Sequence, residues 1–558
     1  MNKIKMRICI LIIAAMLWGD LRAQDQGDQP LVSKEKDIPA AVISATAAFR
    51  ERLLSDPYRP GYHFSFPEGD GRPGDPNGAF YHNGLYHLMF LYKRTNGKFA
   101  WGHASSKDLL HWRYHPDAIG PGDGDEGCFS GGAFVDDDGT AVLSYWMLWG
   151  AKGIGLASSK DPGFSHWQKS GANPVIQSTE WGITAMKDKD GKPYYVGSAD
   201  PSNIWKKNGK YYMATGNLLV LRKFGSRGAG LPANFTEGSL PKDSLNYQGG
   251  RLYLFESDNL KDWTYKHEFY QSNRKWTQKT EDNMCPSFLP LPSSPDGGTS
   301  DKHLLLFISH NLGCQYYIGS YRDDRFFPDT HGRMTWTDNA YFAPEALVDN
   351  KGRQIMWAWI FDDRPDSLKN YYGWNGIYGL PRLLWVNGDG ELGMRPVEEL
   401  KNLRMNERER KNISLAAGSS LTLHKQSSRY TEMDITIQPG TAAQAGVVVA
   451  RSEDGREETV IYYDAKEKKL KLDASKSSLS YGRRNVESAP FELKKGELLN
   501  LRVFIDKGII EVFANDRQAI ARTVYPTLGG SAVQLFSKGG NAVVVSVKTW
   551  DMAPSNPY

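Results

Sequence analysis

Two aspartates that each precede a proline are the residues of this chain best placed to do chemistry. Asp75 opens the stretch Asp75-Pro76-Asn77-Gly78, and Asp200 opens Asp200-Pro201. An aspartate before Pro-Asn-Gly sits at a strand end with a fixed turn after it, so its carboxylate is held in one place, as a reacting group must be. Either stretch alone is also an ordinary turn, so the surrounding elements decide the interpretation.

The unit that Asp75 opens returns along the chain. Each copy combines short apolar or aromatic strands with turns of Gly, Asp and Asn, and the first three copies close on a tryptophan. The copies begin at Asp75, Gly132, Asp200, Pro286 and Ala343. Repeats spaced by several tens of residues and built from short strands predict a β-propeller or a similar array.

Length and composition indicate a globular protein rich in strands and turns. The chain has 558 residues, too many for one ordinary core, so we expect two domains after a leader. The formal net charge is +4 and no basic block stands out, which argues against a nucleic-acid partner. After the leader, no continuous apolar segment is long enough to span a membrane, so membrane insertion is not expected.

The first 23 residues have the pattern of a secretory signal peptide. Lys3, Lys5 and Arg7 form a basic start, residues 8–18 form a short apolar run, and a small residue, Ala23, precedes a cut before Gln24. The run is too short for a membrane anchor. The pattern predicts a protein that is secreted or periplasmic.

Removal of the leader leaves Cys128, Cys285 and Cys314. Three cysteines cannot all pair, and their spacing fits no zinc pattern, so we expect buried free thiols and no metal site.

The remaining chain divides by pattern into four segments. Residues 24–58 lead into the first domain and include a short helix over 38–55, and residues 59–400 hold the repeats, with a long loop or insertion over 222–250. Residues 401–412 are charged and predict a linker. From 413 to 558, strands at short intervals predict a β-sandwich.

The chain resembles glycoside hydrolase family 32, the invertases, levanases and inulinases. The matching motifs of the repeats are Tyr62-His63-Phe64, Gly74-Asp75-Pro76-Asn77-Gly78, Trp101-Gly102-His103, Ser106-Lys107-Asp108-Leu109, Phe129-Ser130-Gly131, Gly379-Leu380-Pro381-Arg382 and Arg395-Pro396-Val397. Phe504-Ile505-Asp506 and Glu511-Val512-Phe513-Ala514-Asn515 match the appended sandwich. The resemblance covers residues 60–552 and implies an all-β fold, a five-bladed β-propeller followed by a β-sandwich, with an axial pocket that hydrolyses fructosides.

The resemblance also assigns roles. It makes Asp75 the nucleophile of a retaining mechanism and Asp200 the stabiliser of the oxocarbenium-like transition state. It implies no metal or organic cofactor, and the partner is an oligo- or polysaccharide fructoside such as sucrose, levan or inulin. Asn77, Trp101, Phe129, Ser130 and Trp374 are predicted to contact the substrate, although blade packing is the commoner role for tryptophans of this kind, Trp146 and Trp181 included.

The acid–base residue departs from the family pattern. Where the family carries Glu-Cys-Pro, this chain has Met284-Cys285-Pro286, and methionine cannot transfer a proton. Glu281 and Asp282 lie just upstream, and a rearranged loop could bring either carboxylate to the pocket; we favour Glu281 slightly for its longer reach. An arginine, an asparagine and a glutamine of the family's pocket are also replaced, by Ala199, Gly74 and Leu91.

These departures leave two alternatives open. A reshaped pocket could take a different furanoside, such as an arabinoside. Loss of the usual glutamate could instead mark a sugar-binding propeller without catalysis, although the presence of both Asp75 and Asp200 argues against it. The sandwich could support the propeller, which we favour, or bind sugar itself.

Overall fold

The computed structural model describes residues 40–65, 72–94, 97–149, 152–216, 250–278 except 272 and 274, 281–424 and 429–556. The predicted signal peptide, the first part of the lead segment and nearly all of the predicted loop at 222–250 lie outside the described residues. Helix α1 covers Ala40–Ser55, where the sequence predicts a short helix. No helix in these ranges is long and apolar enough to cross a membrane.

The first domain consists of antiparallel sheets that follow one another along the chain. Sheet 1 contains β1 (Arg72–His82), β2 (Leu85–Lys93), β3 (Phe99–Ser106) and β4 (Trp112–Ile119). Sheet 2 contains β5 (Gly127–Val135), β6 (Ala141–Leu148), β7 (Gly153–Ser159), β8 (Gln168–Lys169) and β9 (Ile176–Gln177), and a two-stranded sheet of β10 (Ile183–Lys187) and β11 (Pro193–Gly197) follows. Sheet 3 contains β12 (Ala199–Pro201), β13 (Trp205–Lys207), β14 (Lys210–Gly216), β15 (Tyr253–Ser257) and β16 (Thr264–Glu268).

Two more sheets complete this domain. Sheet 4 contains β17 (Met284–Pro290), β18 (Lys302–Ser309), β19 (Gly313–Arg322) and β20 (Arg325–Arg333). Sheet 5 contains β21 (Tyr341–Val348), β22 (Gln354–Phe361), β23 (Gly376–Tyr378), β24 (Arg382–Val386) and β25 (Leu392–Pro396), with the short helix α2 (Asp366–Tyr372) between β22 and β23. A 3₁₀ helix, Glu398–Leu403, follows β25.

The first strands of sheets 1 to 5 form a closed ring. β1 contacts β5, β5 contacts β12, β12 contacts β17, β17 contacts β21, and β21 returns to β1. The closing contact includes a hydrogen bond of 2.8 Å from the backbone N–H of Ala79 to Glu345 Oε1. A ring of sheets joined through their first strands is the architecture of a β-propeller, and it brings the leading residues of every repeat to one axis.

Local sequence explains the strands and their turns. Every residue of β6 is buried, as expected for a strand covered by neighbouring sheets on both faces. Asn83 and Gly84 have φ values of 48° and 83°, and Asn208 and Gly209 have 51° and 79°. These left-handed values are those of the type I′ turns that join tight hairpins.

The second domain is a sandwich of two six-stranded sheets. The first has the order β26 (Arg404–Leu415), β37 (Ala542–Met552), β28 (Tyr430–Gln438), β33 (Leu499–Asp506), β34 (Ile509–Ala514) and β35 (Gln518–Thr523). The second has the order β27 (Ser420–His424), β36 (Ala532–Lys538), β29 (Gln444–Arg451), β30 (Thr459–Asp464), β31 (Lys469–Asp473) and β32 (Val486–Pro490). The inner faces share one apolar core, and the predicted fold class, a propeller followed by a sandwich, is confirmed.

The interpretation of residues 401–412 as a linker was wrong. Residues 401–403 end the 3₁₀ helix, and the rest belongs to β26, which pairs with β37 at the edge of the first sandwich sheet. Residues 405–412 are exposed, so this stretch lacks the buried apolar alternation by which a strand is recognised. Charged side chains on an edge strand also discourage pairing with other chains.

Buried ion pairs join the propeller to the sandwich. The two ring nitrogens of His63 lie 2.9 Å from Asp506 Oδ2 and 3.1 Å from Glu511 Oε1. Glu511 also accepts a hydrogen bond of 2.7 Å from Arg382, and Asp506 accepts the backbone N–H groups of residues 61–63. A continuous apolar cluster surrounds these contacts and includes residues of both domains. The two domains are therefore held together over a broad, desolvated contact.

This network makes stability depend on pH. Burial alone would lower the pKa of His63, but hydrogen bonds to Asp506 and Glu511 and their charges raise it from 6.5 to about 9. A raised pKa means that the stabilisation is complete below pH 6.5 and is lost as the pH rises through 9. We expect the free energy of unfolding to fall by on the order of 3 kcal/mol over this interval, at about 1.4 kcal/mol per pH unit.

Denaturant unfolding of the wild type and of a His63→Gln variant between pH 6.5 and pH 9 tests this predicted loss of stability. The variant should be less stable at the lower pH and should show a flatter pH dependence. His111→Gln is the matched control, because His111 pairs with Asp108 on the exposed surface. Equal slopes for the wild type and His63→Gln would contradict the account.

Candidate active site

The first strand of each sheet in the ring has a break in its register. The breaks lie between residues 73 and 76 in β1, 128 and 131 in β5, 199 and 201 in β12, 284 and 287 in β17, and 342 and 345 in β21. A β-bulge frees a residue from the ladder and redirects its side chain. Four of these breaks contain Asp75, Ser130, Asp200 and Cys285, which the structure brings together.

Asp75 is buried, with 7% of its surface exposed. Its Oδ2 accepts hydrogen bonds of 2.5 Å from Ser130 Oγ and 3.5 Å from Cys285 Sγ. Burial raises the pKa of Asp75, while Ser130, the charge of His310 and Cys285 lower it. The carboxylate is thus fixed in position by a hydroxyl and a thiol, as the predicted nucleophile should be.

Asp200 shares the same thiol. Its Oδ2 lies 3.5 Å from Cys285 Sγ, and its backbone has a φ of 33°, a strained value for a residue other than glycine. Its Oδ1 is buried and has no hydrogen-bond partner within the described ranges. Burial, and then the charge of Asp75, raise the pKa of Asp200 to about 7. An unpartnered buried oxygen at this point is an acceptor that a substrate hydroxyl can use.

Cys285 is a site residue that the sequence reasoning missed. The cysteines of the described chain are free, and Cys128 and Cys314 are buried as predicted, but Cys285 is only partly buried. Burial and the charges of Asp75 and Asp200 raise the pKa of its thiol well above the ordinary value. The thiol therefore stays protonated and acts as a hydrogen-bond donor between the two carboxylates.

Glu281 is buried beside sheet 4 in a network of its own. Its carboxylate lies 3.0 and 3.1 Å from Arg333 Nη2 and accepts hydrogen bonds from Gln315, Ser309 and the backbone N–H of Gln278. Both carboxylate oxygens are engaged by these groups. The contacts of Glu281 do not include Asp75 or Asp200.

Both carboxylate oxygens of Asp282 contact His310. Its Oδ1 accepts the backbone N–H of His310 at 2.9 Å, and its Oδ2 lies 2.6 Å from His310 Nδ1. Burial lowers the pKa of His310, but Asp282, and then Asp200 and Asp75, raise it above the ordinary value. His310 is the second site residue that the sequence reasoning missed; its only sequence signal is a polar residue at the end of the apolar strand β18.

Met284 packs in an apolar cluster to which sheets 2, 3, 4 and 5 all contribute. It is buried there with Ile308, Phe342 and Ala343. An apolar side chain therefore fills the position at which the family carries its glutamate.

The predicted substrate contacts separate into two groups. Ser130 contacts Asp75, and the Asn77 amide lies 3.3 Å from the backbone of Gly131 in either amide orientation. Phe129, beside Ser130, is partly exposed. Trp101 has no exposed surface and donates its indole N–H to the Phe129 carbonyl at 3.0 Å. Trp101 therefore cannot stack on a sugar; it supports the bulge that carries Ser130.

Trp374 also lies away from the cluster around Asp75. It is buried, its indole N–H donates to Asp56 Oδ2 at 2.7 Å, and the Arg364 guanidinium lies 4.7 Å from its ring centre. These contacts explain why the residue is a tryptophan, and they give no support to a role at the pocket.

Aromatic side chains continue outward from Phe129. Its ring has edge contacts with Phe99 and Trp146, whose partners Trp149 and Trp181 are about half exposed. Such faces are suited to stacking on sugars beyond the reacting unit.

Ala199 and Leu91 are buried and Gly74 packs against Leu91, so apolar groups replace three polar side chains of the family pattern. Across the described ranges, no group of His, Cys, Asp and Glu is arranged to hold a metal ion.

Family models match both domains of the chain. The N-terminal domain model of glycosyl hydrolases family 32 matches residues 66–222 and 243–396, and the C-terminal model matches 399–551. The gap between the two N-terminal matches falls in the segment that the sequence predicts as a loop or insertion.

Relatives and solved structures cover nearly the whole chain. It is 28% identical to a sucrose-6-phosphate hydrolase of Zymomonas mobilis, over 91% of this chain and 94% of that one. It is 28% identical to a levanase of Bacillus subtilis, over 92% and 74%. A structure of fructan 1-exohydrolase IIa from Cichorium intybus with 1-kestose superposes with a TM-score of 0.73 at 22% identity, covering 89% of this chain and 98% of that one. The chain belongs to glycosyl hydrolase family 32.

Proposed function

We propose that this protein is a retaining β-fructosidase that releases terminal fructosyl units from sucrose or fructans. The observation that carries the proposal is the pairing of Asp75 and Asp200 in the ring of bulges, both within 3.5 Å of one thiol. The names of the relatives, which are hydrolases of sucrose 6-phosphate and levan, support a fructosyl substrate.

In this mechanism Asp75 attacks the anomeric carbon. The Asp75 carboxylate forms an ester with the fructosyl unit as the glycosidic bond breaks, and water then hydrolyses the ester with overall retention. Ser130 and Cys285 hold Asp75 Oδ2, which leaves Oδ1 for the attack. The free oxygen of Asp200 accepts a sugar hydroxyl, and that hydrogen bond strengthens as positive charge develops on the ring.

The alternative to a fructoside is a substrate built on a different furanose sugar. The specific observation in its favour is that Ala199, Leu91 and Gly74 stand where the family carries polar residues, and that Ala199 and Leu91 are buried among apolar side chains. Fewer polar contacts relax the selection for the hydroxyls of fructose, so an arabinofuranoside belongs among the substrates tested.

The predicted signal peptide supports a location outside the cytoplasm. Residues 1–23 have the signal-peptide pattern, and export would place the enzyme where extracellular fructans occur. Detection of the chain beginning at Gln24 in the medium or the periplasm tests this part of the proposal.

The first prediction from this mechanism concerns the nucleophile. Purified protein incubated separately with sucrose, 1-kestose, inulin and levan should release free fructose, and an arabinofuranoside is included to test the alternative substrate. Asp75→Asn should lower kcat at least roughly 10³-fold, because it removes the attacking oxygen anion while keeping the shape. Asp138→Asn, at an exposed turn of sheet 2, is the control and should leave the rate unchanged. Arabinose as the main product would contradict the assignment of a fructoside as the substrate. Equal rates for Asp75→Asn and Asp138→Asn would contradict the assignment of Asp75 as the nucleophile.

The second prediction concerns Ser130. A hydrogen bond to a charged group contributes about 1.5–3 kcal/mol, so Ser130→Ala should reduce kcat/KM roughly 10- to 100-fold. Since Ser130 lowers the pKa of Asp75, its loss raises that pKa and moves the acidic limb of the pH–rate profile to higher pH. Ser159→Ala removes a similar bond to Asp161 on the same sheet and should leave the profile in place. An unshifted acidic limb in Ser130→Ala would refute this assignment.

A further inference from the structure

A retaining mechanism needs a proton donor, and this site lacks the usual one. Expulsion of a sugar alkoxide requires protonation of the glycosidic oxygen, and a general base must later activate water. Met284 is apolar and buried, and the Glu281 carboxylate is occupied by Arg333, Gln315 and Ser309. The inference drawn below rests on the proposed function.

His310 lies beside the position of the missing glutamate. β17 and β18 are antiparallel, and Met284 pairs with Ile308. The same register, extended by two residues beyond this pair, places Asp282 opposite His310, and the backbone N–H of His310 does donate to Asp282 Oδ1. The adjoining ends of β17 and β18 thus hold a carboxylate, Asp282, and an imidazole, His310. Both lie close in the fold to Met284, which stands where the family carries its proton donor.

Asp282 fixes the imidazole from two sides. One carboxylate oxygen accepts the backbone N–H of His310 and the other lies 2.6 Å from its Nδ1. The ring of Phe342, on β21, packs against the imidazole in a T-shaped arrangement with 5.6 Å between the ring centres. Within the described ranges, the hydrogen bonds of the ring go through Nδ1, and 24% of the side chain is exposed. Nε2 is therefore the nitrogen available to a ligand.

The charges that face His310 favour its protonated form. They come from Asp282 before β17, from Asp200 on β12 and from Asp75 on β1, and all three raise the pKa of the imidazole. The thiol of Cys285, on β17, lies between the two site carboxylates and remains neutral. The protonated form of His310 is thus favoured beside the carboxylates that carry the proposed reaction.

We propose that His310 is the acid–base catalyst of this enzyme and that Asp282 is its positioning residue. In the first step His310 Nε2–H gives its proton to the glycosidic oxygen while the bond to the anomeric carbon breaks and Asp75 forms the ester. The leaving sugar departs as a neutral alcohol and the imidazole becomes neutral. In the second step Nε2 takes a proton from water as its oxygen attacks the anomeric carbon, Asp75 leaves as a carboxylate, and His310 is again protonated.

The test compares leaving groups. Sucrose expels a sugar alkoxide that needs a proton, whereas 4-nitrophenyl β-fructofuranoside expels a phenolate that needs little help. His310→Gln should lower kcat/KM for sucrose about 10²- to 10⁴-fold, the range of general acid–base catalysis, and for the nitrophenyl substrate less than about 10-fold. Added azide should accelerate the variant and give fructosyl azide, because azide needs no general base.

Two further variants keep the test independent of folding. His303→Gln, on β18, the strand that leads to His310, lies where the imidazole is stacked on Phe288, and it should behave as the wild type on both substrates. Asp282→Asn should move the alkaline limb of kcat/KM to lower pH, because Asp282 raises the pKa of His310, and this limb should be absent in His310→Gln. If Asp282 and His310 had only structural roles, neither substitution would change the alkaline limb of the pH–rate profile.

The outcomes separate this inference from the proposed function. If the wild type shows no fructose release that depends on Asp75, both are overturned. If the wild type is active but His310→Gln slows both substrates equally and keeps the alkaline limb, the inference alone is overturned. If Glu281→Gln instead of His310→Gln slows sucrose far more than the nitrophenyl substrate, the acid is Glu281 and His310 is rejected.

Discussion

The close approach of two buried carboxylates at the axis of the propeller is the constraint on which the site depends. Asp75 and Asp200 lie against the same thiol, and burial, followed by the repulsion from Asp75, raises the pKa of Asp200 to about 7. Like charges in a low-dielectric site are costly unless donors and a cation accompany them. Ser130 and Cys285 supply the donors, and the raised pKa of His310 favours a positive charge beside the two carboxylates, so these polar groups form one electrostatic unit.

Backbone geometry makes that unit possible. Each first strand breaks its ladder near its start, and in four of the five strands the break contains a residue of the cluster around Asp75. Such bulges are stable only if the sheets around them are rigid. The ion network of His63, Asp506 and Glu511 contributes to this, since it ties the segment before β1 to the sandwich. Motifs far apart in sequence meet in that network, and this favours a supporting role for the sandwich.

The fold could be predicted from the sequence because the repeats and the family motifs are local signals. The pairing of Asp75 with Asp200 followed from resemblance, and the structure adds their common thiol. Other features depend on tertiary packing and leave no local trace. Trp101 is a residue type that often stacks on sugar rings, but in this fold its side chain is completely buried. His310 meets Asp282 only through the register of β17 and β18, which a linear reading does not supply.

The central claim, that Asp75 forms a covalent bond to the sugar, is tested most directly by trapping that bond. The enzyme would be denatured by acid during turnover of 1-kestose, digested and analysed by mass spectrometry. The account predicts one added fructosyl unit on the peptide that contains Asp75, and its absence from Asp75→Asn. An adduct on another residue, or turnover that gives fructose of inverted anomeric configuration with no adduct, would contradict it.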